Sequence, residues 1–500
     1  MLPQSLYTAQ QVKLGEVEAA KQAGVSLYQL MLRAGEATYQ WLRDSYPSAD
    51  SVTIMCGSGN NGGDGFVVAK LAKQAGLSVR LLLSCDVSKL VGDAKQAQQE
   101  WSESGGEVES ITLIDEALHC ADVIVDGLLG TGLAGNVRDD MSNVINAINQ
   151  SGKPVISIDI PSGLCANTGD ILGASVIANT TVTFIGIKQG LVTGKAREVV
   201  GKLHFSDLGV GKEFETLYPS NVNVLTLDDV SRNLPSRSAT VHKGTNGRLL
   251  CVGGFEGYAG AIRLCSEVAV RSGAGLVSTW CHSNSVLPLQ VACPEVMTKG
   301  WLGDSTELDS KLQTQDVVAL GPGLGLDKWA KTAFDAVQRT CLPKVLDADG
   351  LTLLAQYPNH DSLRVITPHP GEAARLLNCS VKEVEADRYQ AARELQHRYG
   401  GVAVLKGAGT LIYDGEHISV CLAGNPGMAS GGMGDVLTGI VAALLSQRVP
   451  LSDASKLGVL LHSRAADELS NKYGQIGLLA HDLIPEVRRL LNQKCFSIGS

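Results

Sequence analysis

The chain opens on two stretches whose apolar positions recur at helical spacing, residues 8–23 and 26–44, and then changes rhythm. Short β-branched runs follow: SVTIMC (51–56), LSVRLLLS (77–84), ADVIVD (121–126), KPVISIDI (153–160) and NTTVTFIGI (179–187). Polar segments long enough for helices separate them, which predicts a parallel sheet covered on both faces. From about residue 212 to 247 the alternation lapses, and residues 216–240 read as a linker. It then resumes with RLLCVGG, AGLVSTW, DVVALGPG, KVLDADG, SLRVITPHPG and GVAVLKGAGT, before a glycine-rich segment, an apolar helix and a helical tail. The expectation is two α/β domains, 1–215 and 241–500, since 500 residues exceed what one core serves.

Composition narrows the classes. With 44% hydrophobic and 19% charged residues the chain is globular rather than disordered, and its 56 glycines suit many strand-to-helix turns. A net charge of -9 argues against a nucleic-acid partner. No apolar run is long enough to span a bilayer, and the N-terminus lacks the basic start and apolar core of a signal. Twelve cysteines without a C-x-x-C pair, several inside apolar runs, read as buried thiols of a reducing compartment, with no structural zinc. A cytoplasmic protein without membrane contact is expected, and a homo-oligomer as its assembly.

Ligands of parallel sheets gather at the carboxyl ends of the strands, and the candidate chemistry lies there. In the first half, residues 57–65 (GSGNNGGDG) make a phosphate-sized nest after one strand. Residues 127–135 (GLLGTGLAG) follow another and contain a G-x-G-x-x-G match, weak when alone. Asp159-Ile160-Pro161-Ser162-Gly163 ends a third. Asn61, Asp126, Asp159 and Ser162 thus form an oxygen-rich set suited to a hard monovalent or alkaline-earth cation rather than zinc. Taken singly, each reads more readily as a turn residue.

In the second half the decisive stretch is 422–440, LAGNPGMASGGMGDVLTGI. Its glycines admit a phosphate to a helix start, where the Asp435 carboxylate is disfavoured unless it takes a proton or orients a cation. That pairing points to phosphoryl transfer onto a hydroxyl, with Asp435 as the base. Lys406 would balance a nucleotide phosphate and His369 would touch the acceptor, although each alone reads as a surface lysine or a rigid turn. No G-x-x-x-x-G-K-[ST] occurs, so this is not a P-loop enzyme.

NNGGDG, DGLLGTG, DIPSG and the later F-x-x-x-K-x-G (184–190) together resemble the epimerase domain of the NAD(P)H-hydrate repair family. The resemblance implies a Rossmann-like three-layer αβα domain. Asn60, Asn61, Gly62, Gly63 and Asp64, with Gly130, Thr131, Gly132, Leu133, Ala134, Gly135 and Asn136, would line the hydrated dinucleotide. Asn61, Asp126 and Ser162 would hold K+. Asp159 would contact the damaged nicotinamide and move the proton, with Lys188 as the second candidate.

Residues 243–491 resemble the ribokinase-like superfamily and, through HKGTxGRLLCVGG, GYAGA, GPGLG, TPHPGE, KGAGT and NPGMASGGMGD, its NAD(P)H-hydrate dehydratase branch. This implies a ribokinase-like αβα domain in which Ala261, Gly323, His369 and Asp435 contact the hydrate. Lys406, Gly407, Ala408, Gly409, Thr410 and Gly434 would contact the adenine nucleotide. Together the halves imply epimerisation of hydrated NADH and NADPH and dehydration of the S form, with ADP as phosphate donor, Mg2+, and AMP and phosphate as products. The rival readings are a ribokinase-like vitamin or sugar kinase, and a nucleotide-binding scaffold with an inert first domain. A nicotinamide-dependent dehydrogenase fits poorly, because Asp159 is badly spaced from GTGLAG to reach a ribose.

Overall fold

Thr8 and Ser26 start the two N-terminal helices, Ala9–Ala23 and Leu27–Ser45, each through a reciprocal cap in which Gln11 and Gln29 return the hydrogen bond. The computed structural model describes residues 2–228, 239–240 and 242–492. By its internal contacts the chain divides into two units, Met1–Asn223 and Val224–Ser500.

The first unit is built on seven parallel strands in the order Glu109–Ser110, Ser78–Leu83, Ser51–Cys56, Val123–Gly127, Val155–Ile158, Thr180–Phe184 and Lys202–Ser206. Alternate residues serve opposite faces. Ile54, Val125 and Ile156 join a core with Phe66 and Leu42, whereas Met55, Ile124 and Val155 pack with Leu118 and Ile145. Both faces are therefore covered by helices, the three-layer arrangement expected of strands that read as nearly continuous apolar runs.

The other large sheet has ten strands, and all but the first, which spans the boundary at Asn223, lie in the second unit: Val222–Val224, Ile418–Cys421, Thr410–Tyr413, Val402–Leu405, Arg364–Ile366, Lys344–Leu346, Val317–Leu320, Arg248–Val252, Leu276–Cys281 and Met297–Gly300. The strands from Val402–Leu405 to Met297–Gly300 are parallel. The helix Met433–Ser446 is buried along almost its whole length. Gly439 allows this, since a Cβ there would lie 2.2 Å from the Cys265 carbonyl of the helix Ala259–Arg271.

The expected linker, residues 216–240, contains the end of the helix Gly211–Leu217 and the strand Val222–Val224, the latter at the edge of the ten-stranded sheet. Residues 229–238 of that expected linker lie outside the described residues. A three-residue edge strand carries too little periodicity to read ahead of its partner. Lys202–Ser206, Met297–Gly300 and the hairpin Thr410–Tyr413/Ile418–Cys421 were likewise not among the expected strands. Thr410 begins the first strand of that hairpin, and the Asp414-Gly415 pair opens its turn.

Candidate active sites

In the first unit the winding reverses between Ser51–Cys56 and Val123–Gly127: the strands that follow the former lie on one side and those that follow the latter on the other. Loops leaving two such strands diverge and open a crevice. A cavity of about 990 Å³ lies there, lined by Asn60, Asn61 and Asp64, by Gly130, Thr131, Gly132, Leu133 and Ala134, and by Asp159 and Lys188. Gly62 and Gly63 are buried at the start of the helix Asn60–Gln74 and do not line it. A Cβ on Gly62 would lie 2.0 Å from the Gly57 carbonyl, so the helix start folds back on the strand end only because glycine stands there. Gly135 and Asn136 also fall outside the lining.

Asp159 adopts φ of 61°, a left-handed backbone that costs a non-glycine residue about 1–3 kcal/mol. Its N–H donates to the Val182 carbonyl at 2.7 Å. The Thr183 hydroxyl at 3.0 Å, the Phe184 N–H at 3.2 Å and the Lys188 ammonium all donate to its Oδ1. Lys188 is 2% exposed, so the pair is shielded from water rather than a surface bridge. Burial pushes the Asp64 carboxyl well above its usual range, and the Asp159 and Glu16 carboxyls push it further.

Asp126 is 0% exposed. It accepts from Ser157 Oγ at 2.8 Å, Ser162 N at 2.9 Å, Ser162 Oγ at 2.5 Å and Leu128 N at 3.3 Å. Asn61 Nδ2 and Ser162 Oγ both donate to the Leu129 carbonyl at 3.2 Å, so two of the three residues expected at the cation meet on one carbonyl, and Asp126 joins them through Ser162. Burial pushes Asp126 up despite these hydrogen bonds. No cluster of three His, Cys, Asp or Glu side chains suited to a metal occurs among the described residues. One carboxylate among neutral oxygens fits a singly charged hard ion.

In the second unit the parallel strands converge on a set of charged groups. Asp347, 2% exposed at the end of Lys344–Leu346, accepts from Lys406 Nζ and Thr438 Oγ1, both at 2.9 Å. Lys406 also lies 3.8 Å from Glu372. Burial would raise Asp347, but the Lys406 charge and these hydrogen bonds hold it below the usual carboxylate range. Burial would lower Lys406, but Asp347 and Glu372 hold it above the usual ammonium value. Gly434 faces this pair, for a Cβ there would lie 3.1 Å from Lys406 Nζ and 3.3 Å from Asp347 Oδ2.

Asp435 stands in the first turn of Met433–Ser446. Burial, then the Asp347 charge, push its carboxyl up to about 7, against the opposing pull of Lys406; Asp349 and Glu372 add to the rise. His462, held neutral by burial and by Lys406 with its pKa down at about 4, donates to the Met433 backbone and pins the start of that helix. Arg388, fully buried, donates to the Leu405 and Lys406 carbonyls and fixes the origin of the 407–409 loop. Gly323, at φ of 58°, lies against Ala261, since its missing Cβ would be 3.4 Å from that methyl. His369 caps the helix Pro370–Leu377, its Nδ1 accepting from Gly371 N at 3.0 Å, and 57% of its side chain is exposed. Asp347, Glu372, Arg388 and His462 were not among the expected site residues. An acid at a strand end was the legible signal for Asp347; buried charges on neighbouring helices leave none.

Residues 27–190 match the family model described as YjeF-related protein N-terminus, and residues 249–489 that of NAD(P)H-hydrate dehydratase. The bifunctional NAD(P)H-hydrate repair enzyme of Vibrio cholerae is 49% identical over 493 residues, which cover 98% of this chain and 99% of that protein. The chain belongs to the bifunctional NAD(P)H-hydrate repair family. Its Escherichia coli member is 46% identical over 98% of this chain and 95% of its own length. Among solved structures, the ADP/ATP-dependent NAD(P)H-hydrate dehydratase of Bacillus subtilis, co-crystallised with ATP and Mg2+, superposes with a TM-score of 0.50 at 30% identity, covering 53% of this chain and 96% of its own. With the dehydratase model matched over residues 249–489, this likeness gives the second unit the ribokinase-like fold of the NAD(P)H-hydrate dehydratases. No helix among the described residues is long and apolar enough to cross a membrane.

Proposed function

We propose that the chain repairs hydrated NADH and NADPH in two steps: the first unit interconverts the R and S hydrates, and the second dehydrates the S form with ADP, releasing AMP and phosphate. Water added across the C5–C6 double bond of the reduced nicotinamide leaves a hydroxyl on C6, and a stereospecific site accepts one hand. Asp435 takes the hydroxyl proton as the oxygen attacks the terminal phosphorus of the nucleotide. The phosphate ester then leaves C6 with the C–O electron pair while C5 loses a proton, which restores the double bond. The observation that carries this reading is the place of Asp435, in the first turn of the buried helix Met433–Ser446 and directly after the glycine that faces the Lys406–Asp347 pair; burial there raises its carboxyl toward the working pH, where a base is most effective.

In this reading Lys406, Gly407, Ala408, Gly409, Thr410 and Gly434 contact the adenine nucleotide, and Ala261, Gly323 and His369 the hydrate. The Lys406 charge over the Asp435 helix start supports it. Mg2+ would travel with the nucleotide phosphates, as suits an ion bound mainly by phosphate oxygens and water. In the first unit Asn61, Asp126 and Ser162 would hold K+, whose positive charge would offset the buried Asp126 and attract the dinucleotide phosphates. Asp159, directed by Lys188, exchanges the proton during epimerisation. Free cysteines throughout the described residues support a reducing, cytoplasmic setting. Exposed Leu287 and Val291, on a helix packed beside the edge strand Met297–Gly300, support a homo-oligomer.

The test is incubation of the protein with a mixed-epimer hydrate and ADP, following recovery of the reduced nicotinamide and free phosphate. Asp435→Ala should repair neither epimer. Asp159→Ala should repair one promptly and leave the other to slow spontaneous inversion. Phosphate retained on the acceptor would identify a kinase instead, and binding without turnover a scaffold.

A further inference from the structure

More carboxyl groups surround the cavity of the first unit than the reaction described above employs. Glu16, Asp64 and Asp159 line it together with Lys188. Among the described residues, Asp159 is the one of the three that forms an ion pair with that ammonium. Glu16 arrives there through the backbone. The strand Leu6–Tyr7 pairs in parallel with Ile187–Lys188, with Tyr7 opposite Lys188, and Thr8 then caps the helix Ala9–Ala23. Glu16 follows about two turns later. Ala9, Val12, Lys13 and Glu16, three or four residues apart, all line the cavity, so one helix face is turned to it. On another side Gly15 fixes the helix, since a Cβ there would meet the Phe214 ring at 2.3 Å.

We propose that Glu16 is a further catalytic residue of the epimerase, the proton donor that works with the Asp159–Lys188 pair on the hydrated nicotinamide. This rests on the assignment of epimerisation to this cavity. Residues before 27 lie outside the family model matched by the first unit, so the assignment comes from this chain's own geometry.

The carbon to be inverted carries a hydroxyl and is bonded to the ring nitrogen. Asp159 accepts the hydroxyl proton, the oxygen forms C=O, and the C6–N1 bond breaks with its electron pair passing to nitrogen. Glu16 gives that nitrogen its proton. Rotation about C5–C6 presents the other face of the carbonyl; nitrogen attacks, its proton returns to Glu16, and the oxygen recovers its proton from Asp159. Nothing is consumed, and the step needs one ionised and one protonated carboxyl at the same time.

The surroundings supply that difference. Asp159 is paired with Lys188, whereas burial pushes the Glu16 carboxyl up, with Lys188 opposing and Asp159 and Asp93 adding to the rise. The charged groups facing Glu16 are Lys13 on its own helix, Asp64 on Asn60–Gln74, Asp93 on Gly92–Glu103, and Asp159 with Lys188. Since the protonated form is the active one, epimerisation falls as pH rises through the raised Glu16 value.

The experiment uses the full chain with purified R hydrate and no ADP, and follows the approach to the epimer mixture by chromatography across pH. Glu16→Gln should lower kcat about 100-fold with KM nearly unchanged and should abolish the alkaline limb of the pH profile. Glu16→Asp should restore part of the rate and the limb. Native kcat in Glu16→Gln, a loss confined to KM, or a loss that leaves the limb intact overturns the proposal. Asp159→Ala, run alongside, separates the two levels. If it too retains full rate, the epimerase reading of the cavity fails; if it is inactive while Glu16→Gln is active, Glu16 alone is excluded.

Discussion

Lys406 Nζ and Asp347 Oδ1 lie 2.9 Å apart at the ends of two parallel strands separated by one other, and Gly434 faces both. The pair adjusts what burial begins at the second site: burial raises Asp435 most, Asp347 raises it further and Lys406 opposes the rise. Removing one partner leaves a buried charge uncompensated. Lys406→Met is therefore expected to cost about 3–5 kcal/mol of stability. The double variant Lys406→Met/Asp347→Asn should recover most of it, as read by denaturant unfolding. Equal losses in the single and double variants would show that the pair is not coupled.

The Asp435 carboxyl, moved from 3.8 up to about 7, makes two linked pH predictions. The base works ionised, so the dehydration rate should climb about tenfold per pH unit below 7 and level off above it. A folded-state pKa above the unfolded one means stability is fully present below about pH 4 and is lost as pH rises to about 7. Asp435→Asn should thus be inactive at every pH. It should also be more stable than the native chain above pH 7, by an amount on the order of 1–3 kcal/mol, and no more stable at pH 4. Thermal unfolding at the two pH values decides it.

Gly434 matters for the space over Lys406 rather than for an unusual backbone, because its φ is not left-handed. Gly434→Ala should leave unfolding unchanged within about 1 kcal/mol. It should raise KM for ADP about tenfold, since a methyl would stand where a phosphate meets the ammonium. An unchanged KM would remove Gly434 from the nucleotide site.

Asp126 and the converging oxygens of Ser162 and Leu129, with Asn61 bonded to the Leu129 carbonyl, predict a potassium effect confined to the first unit's reaction. Replacing K+ by a bulky organic cation should slow epimerisation and leave dehydration of purified S hydrate to its own nucleotide dependence. Asp126→Asn should abolish the K+ response and cost about 1–3 kcal/mol, because the Ser157 and Ser162 donors would face an amide. Epimerisation indifferent to K+ would remove the ion from this site.

The local grammar of the sequence went far. The capping residues Thr8 and Ser26 mark where two helices begin, and the β-branched runs mark the parallel strands, because both signals are carried by neighbours within one turn or one strand. The glycine segments at the strand ends and the acid in Gly432-Met433-Gly434-Asp435 were legible for the same reason. Short edge strands such as Val222–Val224 and Met297–Gly300 were not, because their order depends on a partner strand remote in the chain.

What only the tertiary structure decided is which charges share one low-dielectric space. Asp347 and Lys406 are 59 residues apart, and Asp159 and Lys188 are 29 apart. The pairing of Leu6–Tyr7 with Ile187–Lys188 carries Glu16 to a lysine far along the chain. The residue pattern fixes where strands and helices form, since that balance is local. A pKa depends on burial and on charges brought close through space, so the working state of Asp435, and the candidacy of Glu16, follow from the packed fold.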